Sequence, residues 1–291
     1  MRTAILWLVT AIVAIAQTLE PVKLETVCTE DDMQAFGLSC PADEPCPIYL
    51  ELASVESVNN RLILIGNFHT ATITLSSILL VSEDGGKTFT EPLPRIKTAT
   101  LDAMQFIDFQ SGWVSGQMVQ AFSKDPFFLL TIDGGKSWRN VPIFGDSRAG
   151  SVDKFHFDSR THGTMLLDRV QVGETGGRWG LYESMTGGAS WELKQVTARK
   201  PEWKKSAPAS SDWRLTAIAK PKVYHVERRS GAKWETTAAF KIEAGECKLA
   251  DRIPTPPPTE LAEDKPAEPA VGGVFVVPSA NPRKPQPKKK K

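Results

Sequence analysis

Between about Ile48 and Ile242 the apolar residues fall into short runs separated by Gly, Asp, Asn and Pro, among them "RLILIG", "SSILLVS", "AMQFIDF", "GWVSG", "FFLLT", "DKFHF", "GTMLLD" and "WGLYES". None is sustained at the i, i+3, i+4, i+7 spacing of an amphipathic helix, and their Val, Ile, Leu, Phe and Thr content predicts β-strands. The pattern predicts an all-β body over residues 48–247. A polar, Cys-bearing lead-in precedes it at 17–47. Residues 248–291 follow, Pro- and Lys-rich and opening with "DRIPTPPPTELAEDKPAEPA" from Asp251. That composition buries too little apolar surface to order itself, so a disordered arm is expected.

A repeat sets the architecture. "SEDGGKTF" (82–89), "TIDGGKSW" (131–138) and "SMTGGASW" (184–191) share one spacing, and "ERRSGAKW" (227–234) keeps only its Gly231 and Trp234. The closing aromatics, Phe89, Trp138, Trp191 and Trp234, are 49, 53 and 43 residues apart. Those periods match one four-stranded propeller blade. Within each copy a hydroxyl (Ser82, Thr131, Ser184) stands two residues before Asp84, Asp133 or, in the third, Thr186. An Asp there accepts hydrogen bonds from the backbone N–H groups that follow, and the glycines Gly86, Gly135 and Gly188 permit the positive φ of a tight turn.

The pattern resembles the Asp-box, or bacterial neuraminidase repeat. The stretch "FIDFQSGWVSG … FFLLTIDGGKSWRNVPI" is most similar to the photosystem II stability and assembly factor propellers. The resemblance implies a small β-propeller of about four blades, with the boxes at the outer rim and ligands bound elsewhere, near the axis. It also implies the catalytic alternative, a sialidase, which as a family uses three arginines, a Tyr–Glu nucleophile pair and an Asp on six blades. The mature chain offers only Tyr49, Tyr182 and Tyr224, and "LPRIK" with Arg95 follows the first box and lacks the family's Pro.

The ends and the charge refine the picture. Arg2, the apolar run Ala4–Ala16 and the small-x-small Ala14-Ile15-Ala16 predict a signal peptide, residues 1–16. The run falls short of the roughly 20 residues that span a bilayer. Exported chains with an even cysteine count favour disulfides, so Cys28, Cys40, Cys46 and Cys247 are expected to pair, with three connectivities open. Cleavage removes one base and leaves 34 bases against 34 acids, but residues 279–291 alone carry six bases and no acid. The body is therefore mildly acidic, which argues against nucleic acid, while the Lys-rich end suits an anionic surface.

Other candidate chemistry is sparse. His156 and His162 flank a turn in "HFDSRTH" with Asp158 between them, but alternation with Phe155 and Phe157 predicts a half-exposed strand histidine rather than a metal or acid–base site. Trp113 and Trp179 lie outside the boxes and are candidate partner contacts. These features together predict an exported, non-catalytic, cofactor-free propeller that binds protein, or alternatively glycan, in the cell envelope.

Overall fold

The computed structural model describes residues 19–119, 123–169, 177–205 and 212–249. The predicted signal peptide, and the arm with its Lys-rich end beyond Leu249, lie outside these residues. Four antiparallel sheets are present among the described residues. Sheet 1 holds β1 (Cys46–Val58), β2 (Arg61–His69), β3 (Thr74–Ser82) and β4 (Ile96–Lys97) in spatial order. Sheet 2 holds β5 (Ala99–Phe106), β6 (Gly112–Val119), β7 (Ser123–Thr131) and β8 (Arg139–Pro142). Sheet 3 holds β9 (Ser151–Phe157), β10 (Gly163–Asp168), β11 (Trp179–Ser184) and β12 (Glu192–Thr197). Sheet 4 holds β13 (Trp213–Ile218), β14 (Val223–Ser230) and β15 (Lys233–Lys241). The last strand, β16 (Glu243–Cys247), returns to sheet 1 beside the start of β1, with Cys247 opposite Cys46.

The architecture is a small β-propeller in which the sheets stack face against face. Among the described residues three apolar cores join them. One unites sheet 4 with sheet 1 through Val226, Ala238 and Phe240 against Leu62, Leu64 and Leu80. The next sets Ile63, Ile65 and Leu79 of sheet 1 against Leu101, Val114 and Phe127 of sheet 2. The third sets Trp113 and Phe128 of sheet 2 against Phe157, Met165 and Leu167 of sheet 3. β2 therefore sends alternate residues into two different cores. That is why "RLILIG" is a continuous apolar run rather than an alternating one.

Side-chain amides clamp neighbouring sheets at the backbone. Asn67 on β2 donates to Leu101 O and accepts from Leu101 N, and Gln105 on β5 does the same with Phe157 of β9. Each supplies two backbone bonds that separate sheets cannot make to one another.

No apolar cluster joins sheet 3 to sheet 4 among the described residues. The face of sheet 4 turned from sheet 1 is polar: Arg214 pairs with Glu227 at 2.6 Å and stands 4.3 Å from the Trp234 ring centre. Sheet 3 is instead bonded to the segment that follows β12, through Lys200–Asp153 and Lys205–Asp158, both at 2.7 Å.

The Cys-bearing lead-in packs Leu24, Phe36 and Leu38 against the first core. It contains α1 (Glu30–Phe36), opened by a reciprocal capping box between Thr29 and Asp32 and closed by left-handed Gly37. Disulfides Cys28–Cys247 and Cys40–Cys46 fasten it, the first reaching the last strand.

Candidate functional site

The box residues come together as turn cradles. Asp133 Oδ1 accepts from Thr131 Oγ1 (2.8 Å) and from the backbone N–H of Lys136 and Ser137 (both 3.0 Å), while Oδ2 accepts from Ser137 Oγ at 2.6 Å. Thr131 Oγ1 in turn accepts from Gly135 N at 2.9 Å. Ser82, Asp84, Gly86 and Thr88 repeat the arrangement. Partial burial pushes the Asp133 carboxyl up, but the bonds from Ser137, Thr131 and Lys136 outweigh it and bring the pKa down to about 2. At Asp84 the backbone and hydroxyl of Thr88 hold the carboxyl far below its usual range. Both carboxylates stay ionised and are held by the donors of their own turns. In the third box Thr186 Oγ1 takes over the acceptor role for Ser190 N at 2.9 Å, with Ser184 Oγ accepting from Gly188 N.

Each cradle also touches the preceding sheet. A methyl on Gly135 would stand 2.6 Å from Ile63 Cδ1, and one on Gly188 would stand 3.5 Å from Trp113 Nε1. Trp191 stacks on Phe128 at 5.4 Å, and Phe89 meets Phe240 edge-on at 5.1 Å. The fourth copy differs. It is a two-residue hairpin between Ser230 and Lys233, and nothing stands within 4 Å of a methyl on Gly231.

The two candidate contact tryptophans are separated. Trp113 is buried, stacked on Phe157 at 3.8 Å, with its Nε1 donating to Gly187 O at 2.9 Å. Trp179 is half-buried beside Arg178 (5.3 Å) and Lys200 (5.0 Å). Tyr182 is buried and Arg95 is committed to Glu91, so neither stands as a sialidase group would.

His156 and His162 do converge on Asp158. Asp158 lies 3.1 Å from His156 Nε2 and 2.9 Å from His162 Nδ1, and the far nitrogen of His162 lies 2.9 Å from Glu183. A hydrogen bond from Lys205, then the histidines, lowers the Asp158 pKa. The cluster ties β9, the turn after it, β11 and the post-β12 segment together. Among the described residues no group of three His, Cys, Asp or Glu side chains is placed to hold a metal ion.

Two acids with raised pKa values lie on the first strands of sheets 1 and 2. Burial pushes Glu56 up to about 7 and Asp102 up to about 6, the latter with help from the charge of Glu51. Asp102 sits at a β-bulge between Leu101 and Ala103.

Exposed apolar side chains gather at the box end of the sheets. Phe109 (69% exposed) projects from the β5–β6 turn, and Ile132 (82%) and Met185 (66%) from the second position of successive boxes. The turn is rigid: Asp108 Oδ1 accepts from Gln110 N and Ser111 N, and Gly134 N donates to Gln110 O at 2.9 Å. Phe109 and Ile132 flank a cavity of about 650 Å³. It adjoins a second of about 300 Å³ that reaches Trp213 and Arg228, the two sharing Asn59, Asn60, Arg61 and Glu83. Sequence reading assigned the boxes to structure alone and passed over this groove. Its signal was present in Ile132, an apolar residue where the first box has the solvent-suited Glu83.

No protein-family model matches the chain, and no curated protein matches it. Solved structures similar to it include YCF48 bound to D1 peptide, at 15% identity and TM-score 0.32, covering 69% of this chain and 61% of that one. They include the GH74 xyloglucanase from Xanthomonas campestris, at 14% identity and TM-score 0.37, covering 64% and 28%. They also include the Penicillium chrysogenum α-L-arabinanase complexed with arabinobiose, at 13% and 0.32, covering 74% and 66%. The chain spans less than two thirds of the length of each. The expectation of a protein without catalytic activity is corrected here, because enzymes stand among these neighbours. At such identity their reactions do not carry over to this chain.

Proposed function

We propose that the chain is an exported β-propeller that binds a protein partner and serves as an assembly scaffold in the cell envelope. The observation that carries this reading is the pair Phe109 and Ile132, held out on hydrogen-bonded turns at one cavity mouth and ringed by Asn59, Asn60 and Gln110. Apolar anchors inside a polar rim are the composition of a protein interface, and rigid turns reduce the entropy lost on binding. Two disulfides support an oxidising compartment. The resemblance of the boxes to assembly-factor propellers supports the scaffold role. A glycan-binding reading rests on Glu56 and Asp102, whose half-buried carboxyls suit sugar hydroxyls. A photocrosslinking residue at position 132, introduced in the native envelope, tests the choice. Protein adducts lost on Phe109→Ala are expected; adducts indifferent to Phe109, or glycan adducts alone, contradict the proposal.

A further inference from the structure

Two histidines share Asp158, and their surroundings give them different proton counts. Gln105 Oε1 accepts from Phe157 N at 2.9 Å, which fixes the other end of its amide as a donor, and that nitrogen faces His156 Nδ1 at 3.5 Å. His156 Nδ1 is therefore an acceptor, and the neutral ring reaches Asp158 Oδ1, 3.1 Å away, with a proton on Nε2. His162 meets acceptors on both sides. Its Nδ1 stands 2.9 Å from Asp158 Oδ2, and its Nε2 stands 2.9 Å from Glu183 Oε1. A neutral imidazole carries one N–H and would turn a lone pair on one of those carboxylates; only the imidazolium donates to both. The other charges around the ring agree. Asp158 takes Lys205 from the segment after β12, and Glu183 shares Lys194 of β12 with Glu192, so these three acids and two lysines reach neutrality with one positive ring. Bonds from His162, then from Lys194, hold the Glu183 carboxyl below its usual range.

We infer that His162 is a proton-operated clasp: as the imidazolium it joins the β9–β10 turn to β11, and on losing the Nε2 proton it keeps Asp158 and lets Glu183 go. The choice of nitrogen follows from what else holds each carboxylate. Asp158 is fixed between His156 and Lys205, whereas Glu183 can swing to Lys194, already 3.3 Å away. The clasp steadies the third box. Glu183 directly precedes Ser184, and Gly187 N donates to Thr161 O of the turn at 2.7 Å. Of the three cradles this is the one without a carboxylate, Thr186 standing where the others have Asp84 and Asp133. The clasped state binds one proton more than the open one, so the link is complete on the acid side of the ring's titration and is lost as pH rises through it.

The test is nitrogen-15 NMR of the histidine rings in the full chain from about pH 5 to about pH 9, which brackets an imidazole titration. His162 is expected to pass from both nitrogens protonated to the Nδ1–H form, and neutral His156 to stand in the Nε2–H form. His156→Gln and His162→Gln assign the signals. Hydrogen exchange gives a second reading. After correction for intrinsic rates, protection of the Gly187 amide should fall about tenfold as His162 loses its proton, the scale of one charge-assisted bond. In Glu183→Gln the new amide can donate to the neutral ring, so that fall should vanish, with circular dichroism showing the fold kept. A His162 ring that ends in the Nε2–H form overturns the inference. So does Gly187 protection that ignores the titration, or that falls equally in Glu183→Gln.

Discussion

The turn at Thr131–Trp138 and the turn at Ser230–Lys233 both reverse one strand into the next, yet only the first is built as a fastening. In the second box an Asp, two hydroxyls and a glycine pressed on Ile63 hold the turn and lock sheet 2 to sheet 1. The fourth turn has a left-handed Gly231 and open space around it. Sheets 1 and 2 bury both faces, whereas sheet 4 presents Arg214, Thr216 and Glu227 on its far side. The box is conserved in chemistry where a turn abuts a neighbouring sheet and eroded where it abuts none. The motif thus acts as a device between blades as much as within one.

That contrast is sharpest at the glycines. Gly135→Ala puts a methyl against Ile63 at a φ of +83°, and should cost about 3 kcal/mol in urea unfolding. Gly231→Ala has the same backbone penalty in open space and should cost only about 1 kcal/mol. Equal losses would remove the distinction.

Two glutamates extend the comparison to the cores. Glu56 on doubly covered sheet 1 is raised to about 7 by burial. Glu227 on the far face of sheet 4 is lowered, because the bond from Arg214 outweighs its burial. A raised carboxyl favours folding most below its unfolded pKa and loses that contribution as pH rises through about 7. Glu56→Gln should therefore stabilise the protein by about 2 kcal/mol at pH 8 and by nothing measurable at pH 4. A gain independent of pH would show that the effect is not removal of a buried charge.

Smaller effects come from the cradles themselves. Asp133→Ala should cost about 1 kcal/mol in thermal or urea unfolding, the scale of a lost turn cap. Its carboxyl is depressed, so the contribution is complete above the usual carboxylate range and disappears as pH falls toward about 2. Thr186→Asp should restore the carboxylate cradle of the third box and gain about 0.5 kcal/mol, read as a rise in Tm. A loss there would mean that the Thr186–Ser190 bonding is already the better fit.

The strands, the boxes and the presence of disulfides were legible in the sequence because each is a local pattern: a short apolar run, a fixed hydroxyl–Asp–Gly spacing, an even cysteine count. The Cys28–Cys247 pairing was not, since it joins residues 219 apart and depends on β16 returning to β1. α1 escaped because seven residues burying only Met33 show no helical period. Trp113 read as a free aromatic, yet its place opposite Phe157 follows only from how sheets 2 and 3 face each other. Phe109, Ile132 and their groove were hidden for the same reason, because three turns distant in sequence meet at one end of the stack.

Hydrogen–deuterium exchange on the full chain tests the fastening most directly. The amides of Gly135, Lys136 and Ser137, bonded to Thr131 and Asp133, are expected to exchange only through opening of the sheet 1–sheet 2 interface, and to lose that protection in Asp133→Ala. The amides of Gly231 and Ala232 are expected to exchange quickly in both proteins. Box amides that exchange as fast as those of the fourth turn in the unaltered chain would contradict the account.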